Sequence, residues 1–394
     1  MGAHKKYVYL DYAATAPLCE EARFAIRPYF HTYGTDSVCM RGNANSLYTP
    51  GRDAAIQLEK GRKTIATSLN SGRPDEIVFT SSSTESIYLA LSGLFNANGC
   101  KTIVTSNIEH EAVIQAAIAV AGKSNVFQVK VDKFGFIDVE DYKKVLGEAD
   151  SPLVSIQMAN SELASVQHVE QLAEIAHNAG CLFHTDVTQA IGKCRVDLCQ
   201  LGADAASFSS HKLGGPQGVG ALYLKNRVKF ASPIVGGGQE NKRRGGTQNV
   251  SGAVGFAAAV KTSTDKVDEE SARLLALKEH LISEVCNMTT SAGKKCRLAV
   301  NETEGSKVGD YLPNIATFIV PGVESETAIL KLDERGICVS GGSACSSHSK
   351  SPSFALKAIG VSDDDAFCEI RVSFGRYTTE DEIDTFTQVL REVI

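Results

Sequence analysis

Between about residues 75 and 225, short apolar runs alternate with stretches whose apolar residues recur at helical spacing. The runs are Glu76 to Phe79, Thr102 to Thr105, Leu153 to Ile156, Cys181 to His184, Ala205 to Ser209 and Gly220 to Tyr223, and Val169 to Ala179 is a helical stretch between two of them. This alternation predicts a mostly parallel sheet flanked by helices. In such sheets ligands bind beyond the carboxyl ends of the strands, and His110, Glu162, Asp186 and Lys212 all follow predicted strand ends.

After Gly236-Gly237-Gly238 the pattern changes. Residues 266 to 288 read as one long amphipathic helix whose apolar face is Leu274, Leu275, Leu277, Leu281, Ile282 and Val285. A strand around Ala316 to Val320, a helix through Thr327 to Asp333, a strand around Cys338 and a final strand and helix follow, with Thr379 to Glu382 as a capping box. This half reads as a smaller α+β domain.

Composition narrows the class. At 394 residues the chain exceeds the size at which one core keeps growing, so two domains are expected. Hydrophobic content of 43% with no apolar run long enough to span a bilayer argues against a membrane role. With 40 basic against 46 acidic residues and no long basic block, nucleic acid is not an expected partner. The amino terminus carries no targeting signal, and eleven cysteines without CxxC pairs read as reduced thiols, so a cytoplasmic location is expected.

The candidate chemistry centres on Asp186, in Phe183-His184-Thr185-Asp186, and Lys212, in Ser209-Ser210-His211-Lys212. A lysine amine can form a Schiff base with an aldehyde cofactor, and a carboxylate can keep a pyridine nitrogen protonated, so the pair reads as a pyridoxal phosphate site. Phe79-Thr80-Ser81-Ser82-Ser83-Thr84-Glu85-Ser86 lies between a strand and a helix, where backbone N–H groups and hydroxyls favour a phosphate.

Taken in order, Tyr9 to Pro17, Gly42-Asn43, Thr84-Glu85-Ser86, Glu109-His110, Ala159-Asn160, His184-Thr185-Asp186, His211-Lys212, Gly236 to Glu240, Gly246-Thr247, Gly342 to Cys345 and Arg371-Val372-Ser373 form a long ordered series. The series resembles the cysteine desulfurases of the class V aminotransferase superfamily, in the nitrogen-fixation and iron–sulfur assembly branch with the long catalytic loop. The resemblance implies fold type I of the PLP-dependent transferases, an α/β architecture. A large domain (17–260) would hold a mostly parallel seven-stranded sheet, and residues 1–16 with 261–394 would form a small α+β domain carrying the Cys345 loop.

The same resemblance assigns roles. Lys212 would be the Schiff-base lysine, Asp186 the ring-nitrogen partner, Gln189 a donor to the ring hydroxyl and His110 the imidazole stacked on the ring. Ser83, Thr84, Ser209 and His211 would hold the phosphate, with Thr247 reaching in from a second subunit of a homodimer. Arg371 would bind the substrate carboxylate, with Asn43, Asn160 and Ser161 also on the substrate side, and no metal is expected. Cys345 lies in a polar glycine- and serine-rich segment, where His348 and Lys350 favour its thiolate.

The implied reaction takes L-cysteine to L-alanine, leaves a persulfide on Cys345, and passes sulfur to an acceptor or scaffold protein for iron–sulfur cluster or thio-cofactor synthesis. Some positions depart from the family: Asn-Asn-Glu-Thr-Gly becomes Asn160-Ser161-Glu162-Leu163-Ala164, and Ser82 stands where glycine is usual. Serine at 161 is shorter and lacks the amide, which leaves open selenocysteine lyase or another PLP-dependent C–S lyase. A catalytically weakened paralogue serving as a binding scaffold is the remaining reading.

Overall fold

The structure is a computed structural model that describes residues 7–30, 42–302, 307, 309–342 and 352–394. Its centre is a seven-stranded sheet in the order β2 (Ile77–Thr80), β8 (Gly220–Leu224), β7 (Ala205–Ser209), β6 (Leu182–Asp186), β5 (Pro152–Ser155), β3 (Thr102–Ser106) and β4 (Val126–Val129). The pairs from β7 through β4 are parallel, and β8 alone runs against its two neighbours. The apolar runs therefore mark six of the strands. The seventh, β4, is a half-exposed edge whose pattern, Val126-Phe127-Gln128-Val129, carries too little burial to stand out in sequence.

Glu76 belongs to a 3₁₀ turn at 74–76 instead of the strand. Inside the sheet a polar rung is satisfied internally: His184 meets Ser155 Oγ at 2.8 Å and Ser207 Oγ at 2.9 Å, and burial pulls its pKa down to about 3, so the ring stays neutral.

Register places the chemistry at one end. Gly220 lies opposite both Thr80 and Ser209, and Asp186 lies opposite Ser207. A Cβ at Gly220 would come within 2.6 Å of the Ser82 backbone, so only glycine lets β8 pass the loop that follows β2. That loop enters α3 (Ser83–Asn98), and Ser82 caps it by accepting from Glu85 N. The replacement of the family glycine by Ser82 introduces no backbone strain, because its φ of −171° is extended.

Arg62, on α2 (Thr49–Ser68), reaches Glu240 with Nη1 and Nη2 at 2.6 and 2.9 Å, and Glu240 also accepts from Phe79 N. This buried pair pins the glycine-rich stretch to the start of the sheet.

A second core gathers Leu10 with residues from 274 to 394. Its three-stranded sheet runs β12 (Glu369–Ser373), β10 (Ile315–Ile319), β9 (Arg297–Leu298), all antiparallel. Helices α8 (Val267–Cys286), α9 (Ser325–Glu334) and α12 (Glu380–Val393) contribute apolar side chains to this core, and β1 (Val8–Tyr9) pairs in parallel with β11 (Ile337–Cys338). On α8 the buried face is Leu274, Leu277, Leu281 and Val285, whereas Leu275 is exposed and leaves the expected stripe. Thr379 and Glu382 form the expected capping box on α12. No helix among the described residues is long and apolar enough to cross a membrane.

Candidate active site

One pocket opens at the carboxyl ends of β3, β5 and β6, and Ser83, His110, Ser161, Asp186, Gln189, Lys212 and Arg371 line it. Residues from Ser83 to Lys212 meet because the strands of the large sheet release their loops on the same side, and β12 of the second sheet brings Arg371 to the same pocket. Asp186 ends β6, His110 caps α4 (Glu111–Ala121), and Lys212 sits in the 3₁₀ turn 211–213 that follows β7. The turn closes at Gly214, whose φ of +83° and approach to Pro17 O call for glycine.

The charged groups of the pocket act on one another. Burial pushes the Asp186 carboxyl up, while hydrogen bonding from Thr188 and the fields of His110 and Lys212 pull it back. His110 is pushed down by burial, against Asp186. Its Nδ1 accepts from Ala112 N at 3.1 Å, so the ring proton belongs on Nε2. Lys212 Nζ donates to the carbonyls of Ala13 and Ala14 at 2.6 and 2.7 Å, and Gln189 Nε2 donates to the same Ala13 carbonyl at 3.1 Å. Arg371 is almost fully buried; Nη2 meets Asp11 Oδ1 at 3.0 Å, Nη1 meets Ser161 O at 3.3 Å, and Nε has no acceptor.

Other expected residues stand apart from this pocket. Ser209 is buried at the end of β7 with an unpartnered Oγ, and His211 Nδ1 contacts Thr15 Oγ1 at 3.1 Å. Thr84 is exposed in the first turn of α3. Asn43 and Thr247 are also exposed, and Asn45, held by Asn43 Oδ1, reaches Gln248 beside Thr247. Asn160 is committed to the backbone: Nδ2 donates to Ile108 O, and Oδ1 accepts from Glu162 N and Leu163 N. Its side chain shapes the loop that presents Ser161. Cys345, His348 and Lys350 lie outside the described residues.

The chain matches the aminotransferase class-V family model over residues 8–386. It is 37% identical to a cysteine desulfurase IscS of Dictyoglomus turgidum, across 99% of this chain and 95% of the relative. It is 34% identical to the cysteine desulfurase NifS of Azotobacter vinelandii, across 98% and 91%. This chain belongs to the class-V aminotransferase family, in its cysteine desulfurase branch.

Among solved structures, a NifS-like protein superposes with a TM-score of 0.86 at 31% identity, covering 98% of this chain and 99% of that one. The NifS-like protein from Rickettsia africae gives 0.84 at 28%, again with 98% and 99% covered. A structure described as SspA in complex with cysteine gives 0.75 at 26%, with 94% and 99% covered.

The donor set suits the cofactor on which this family's chemistry rests. The buried hydroxyl of Ser209 lacks a partner, a state native proteins rarely leave unused. Asp186 is a desolvated carboxylate that a protonated ring nitrogen would compensate. Arg244 reaches Glu85 with Nε and Nη2 at 2.6 and 3.2 Å, tying the glycine-rich stretch to the first turn of α3 beside the loop that follows β2.

The sequence reading assigned no role to several groups at the site. Gln157 lines the pocket, and the Ala13 and Ala14 carbonyls hold the Lys212 amine. Glu109 is completely buried, accepts from Ser106 Oγ and Gln157 N, and is pushed up to about 8 by burial. Lys193 Nζ donates to Lys212 O at 2.6 Å from the wall of a neighbouring cavity of about 250 Å³, and burial followed by the Lys212 charge lowers it to about 7. Glu109 precedes His110, and Gly192-Lys193 follows the β6 loop, but neither motif discloses burial.

Proposed function

We propose that this chain is a pyridoxal phosphate-dependent cysteine desulfurase that converts L-cysteine to L-alanine and leaves the sulfur on Cys345. The observation that carries the reading is the convergence of Lys212, Asp186, His110 and Arg371 on one pocket. When bound, pyridoxal phosphate supplies an aldehyde for the substrate amine and a ring that stores the electron pair left at the substrate Cα.

The protein residues do the rest. Asp186, Gln189, His110, Ser83, Thr84, Ser209 and His211 would hold the cofactor, with Thr247 contributed across a homodimer interface. Arg371 offers a planar guanidinium to the substrate carboxylate, beside Ser161. Lys212, freed from covalent duty, lies where its amine can move the Cα proton. The Cys345 thiolate bonds to the substrate sulfur as that sulfur's bond to Cβ breaks; Cβ takes a proton, alanine leaves, and a persulfide remains. Its transfer to an acceptor protein fits a reducing compartment such as the cytosol.

Family membership favours this reading over a selenocysteine lyase, another C–S lyase or an inactive scaffold. The test is alanine and persulfide formation from L-cysteine by the purified holoenzyme. An enzyme that releases sulfide from cysteine equally well as the Cys345→Ser variant would be a direct lyase instead.

A further inference from the structure

Residues 9–15 cross the site as a clamped strap. Ser373 accepts from Tyr12 N at 3.1 Å through its carbonyl and from Ala13 N at 2.9 Å through its hydroxyl, while Ser373 N donates to Leu10 O at 2.9 Å. Asp11 then begins a turn: its carbonyl accepts from Ala14 N and Thr15 N, and Tyr9 Oη closes the turn on Thr15 O at 2.8 Å. From this turn the Asp11 carboxylate points to Arg371 Nη2, and the Ala13 and Ala14 carbonyls point to Lys212 Nζ. Two groups assigned to different steps thus rest on one stretch of five residues.

We propose that Asp11 is the positioning residue for Arg371, fixing the guanidinium plane so that its remaining donors face the substrate carboxylate. The inference rests on the reading of Arg371 as the carboxylate receptor. Asp11 does not line the pocket, so it acts through the arginine. Arg371 has a buried Nε without an acceptor and only a long 3.3 Å contact from Nη1, so Asp11 provides its one close anchor among the described residues. A fork-shaped donor rewards a planar carboxylate only when its plane is set beforehand.

The test uses the holoenzyme and two amines, each titrated by the absorbance of the bound cofactor. L-Alanine carries the carboxylate that Arg371 would bind, whereas cysteamine has the amine and thiol of cysteine without a carboxylate. In Asp11→Asn, the apparent Kd for L-alanine is expected to rise about tenfold, the loss of one charge-assisted contact. Cysteamine affinity should stay within twofold, because it meets only the Lys212 side of the strap. KM for cysteine should rise with kcat within threefold, and Asp11→Glu should recover part of the loss.

In an Arg371→Lys background, Asp11→Asn should have no further effect on alanine, since the two residues act as a unit. Equal weakening of both amines would overturn the proposal by showing a general disturbance of the strap, and tighter alanine binding would overturn it by making Asp11 a competitor. If wild type forms no alanine from cysteine, the desulfurase reading fails alone, and the two titrations still decide the role of Asp11.

Discussion

Arg371 and Ser340 exchange both of their backbone hydrogen bonds, Arg371 N to Ser340 O at 2.7 Å and Ser340 N to Arg371 O at 3.2 Å. Ser340 stands five residues before Cys345. The proposed carboxylate receptor and the root of the segment that carries the proposed nucleophile are therefore one rung of a ladder. Gly342 has a φ of +83°, and a Cβ there would clash with the Glu369 carboxylate of β12, so this position calls for glycine. Cys345→Ser is expected to abolish alanine and persulfide formation from cysteine while leaving the cofactor absorbance unchanged. Mass spectrometry of the protein after cysteine treatment checks the persulfide.

Lys212→Ala removes the amine that the Ala13 and Ala14 carbonyls hold in the pocket. The variant should lose the visible band of lysine-linked cofactor, and turnover should fall by about 10²- to 10⁴-fold from the lost proton transfer alone. Absorbance and alanine production together separate failure to bind cofactor from failure to react.

Ser161 presents its carbonyl to Arg371 and lines the pocket. Ser161→Asn adds an amide beside the proposed carboxylate receptor. One further hydrogen bond to a charged group is worth about 1.5 kcal/mol, so KM for cysteine should fall roughly tenfold with kcat little changed. Steady-state kinetics on cysteine and selenocysteine show whether serine at this position also alters the preference between them.

The Arg62–Glu240 pair is closed to solvent on both sides. Arg62→Met would leave a buried carboxylate facing Phe79 N without its cation, at a cost of about 3 to 5 kcal/mol in denaturant unfolding. Replacing both members with apolar residues should recover most of this loss, because desolvation of the pair nearly cancels its attraction.

Glu109 gives a pH signature of stability. Burial raises its folded pKa to about 8 from 4.5. The folded state thus retains a proton that the unfolded state has lost between those values. Its contribution is fully present below pH 4.5 and is lost as pH rises to 8. Thermal unfolding of wild type should weaken over that range relative to Glu109→Gln, which holds the neutral shape at every pH.

The other six strands of the large sheet, the apolar face of α8 and the capping box of α12 were legible because burial on both faces and helical periodicity are written locally, whereas the two-residue strands β1 and β9 are too short to carry a pattern. Edge strand β4 was not, since a half-exposed edge has no such signature. Asp186, Lys212, His110 and Arg371 could be picked by motif, and Ser82 and Asn160 could be named, but their duties could not. Ser82 turns out to cap α3 without strain, and Asn160 spends its amide on the backbone of its own loop and of Ile108.

By itself, then, the sequence determined which chemical groups the chain owns and the order of elements that carry them, because motif and periodicity act over neighbouring residues. Only the tertiary structure decided that Asp11 would meet Arg371, that Lys193 would hold the Lys212 carbonyl, and that Glu109 would be desolvated. Those relationships depend on distances between residues up to 360 positions apart and on exclusion of water, and neither exists until the sheet and the second core have packed.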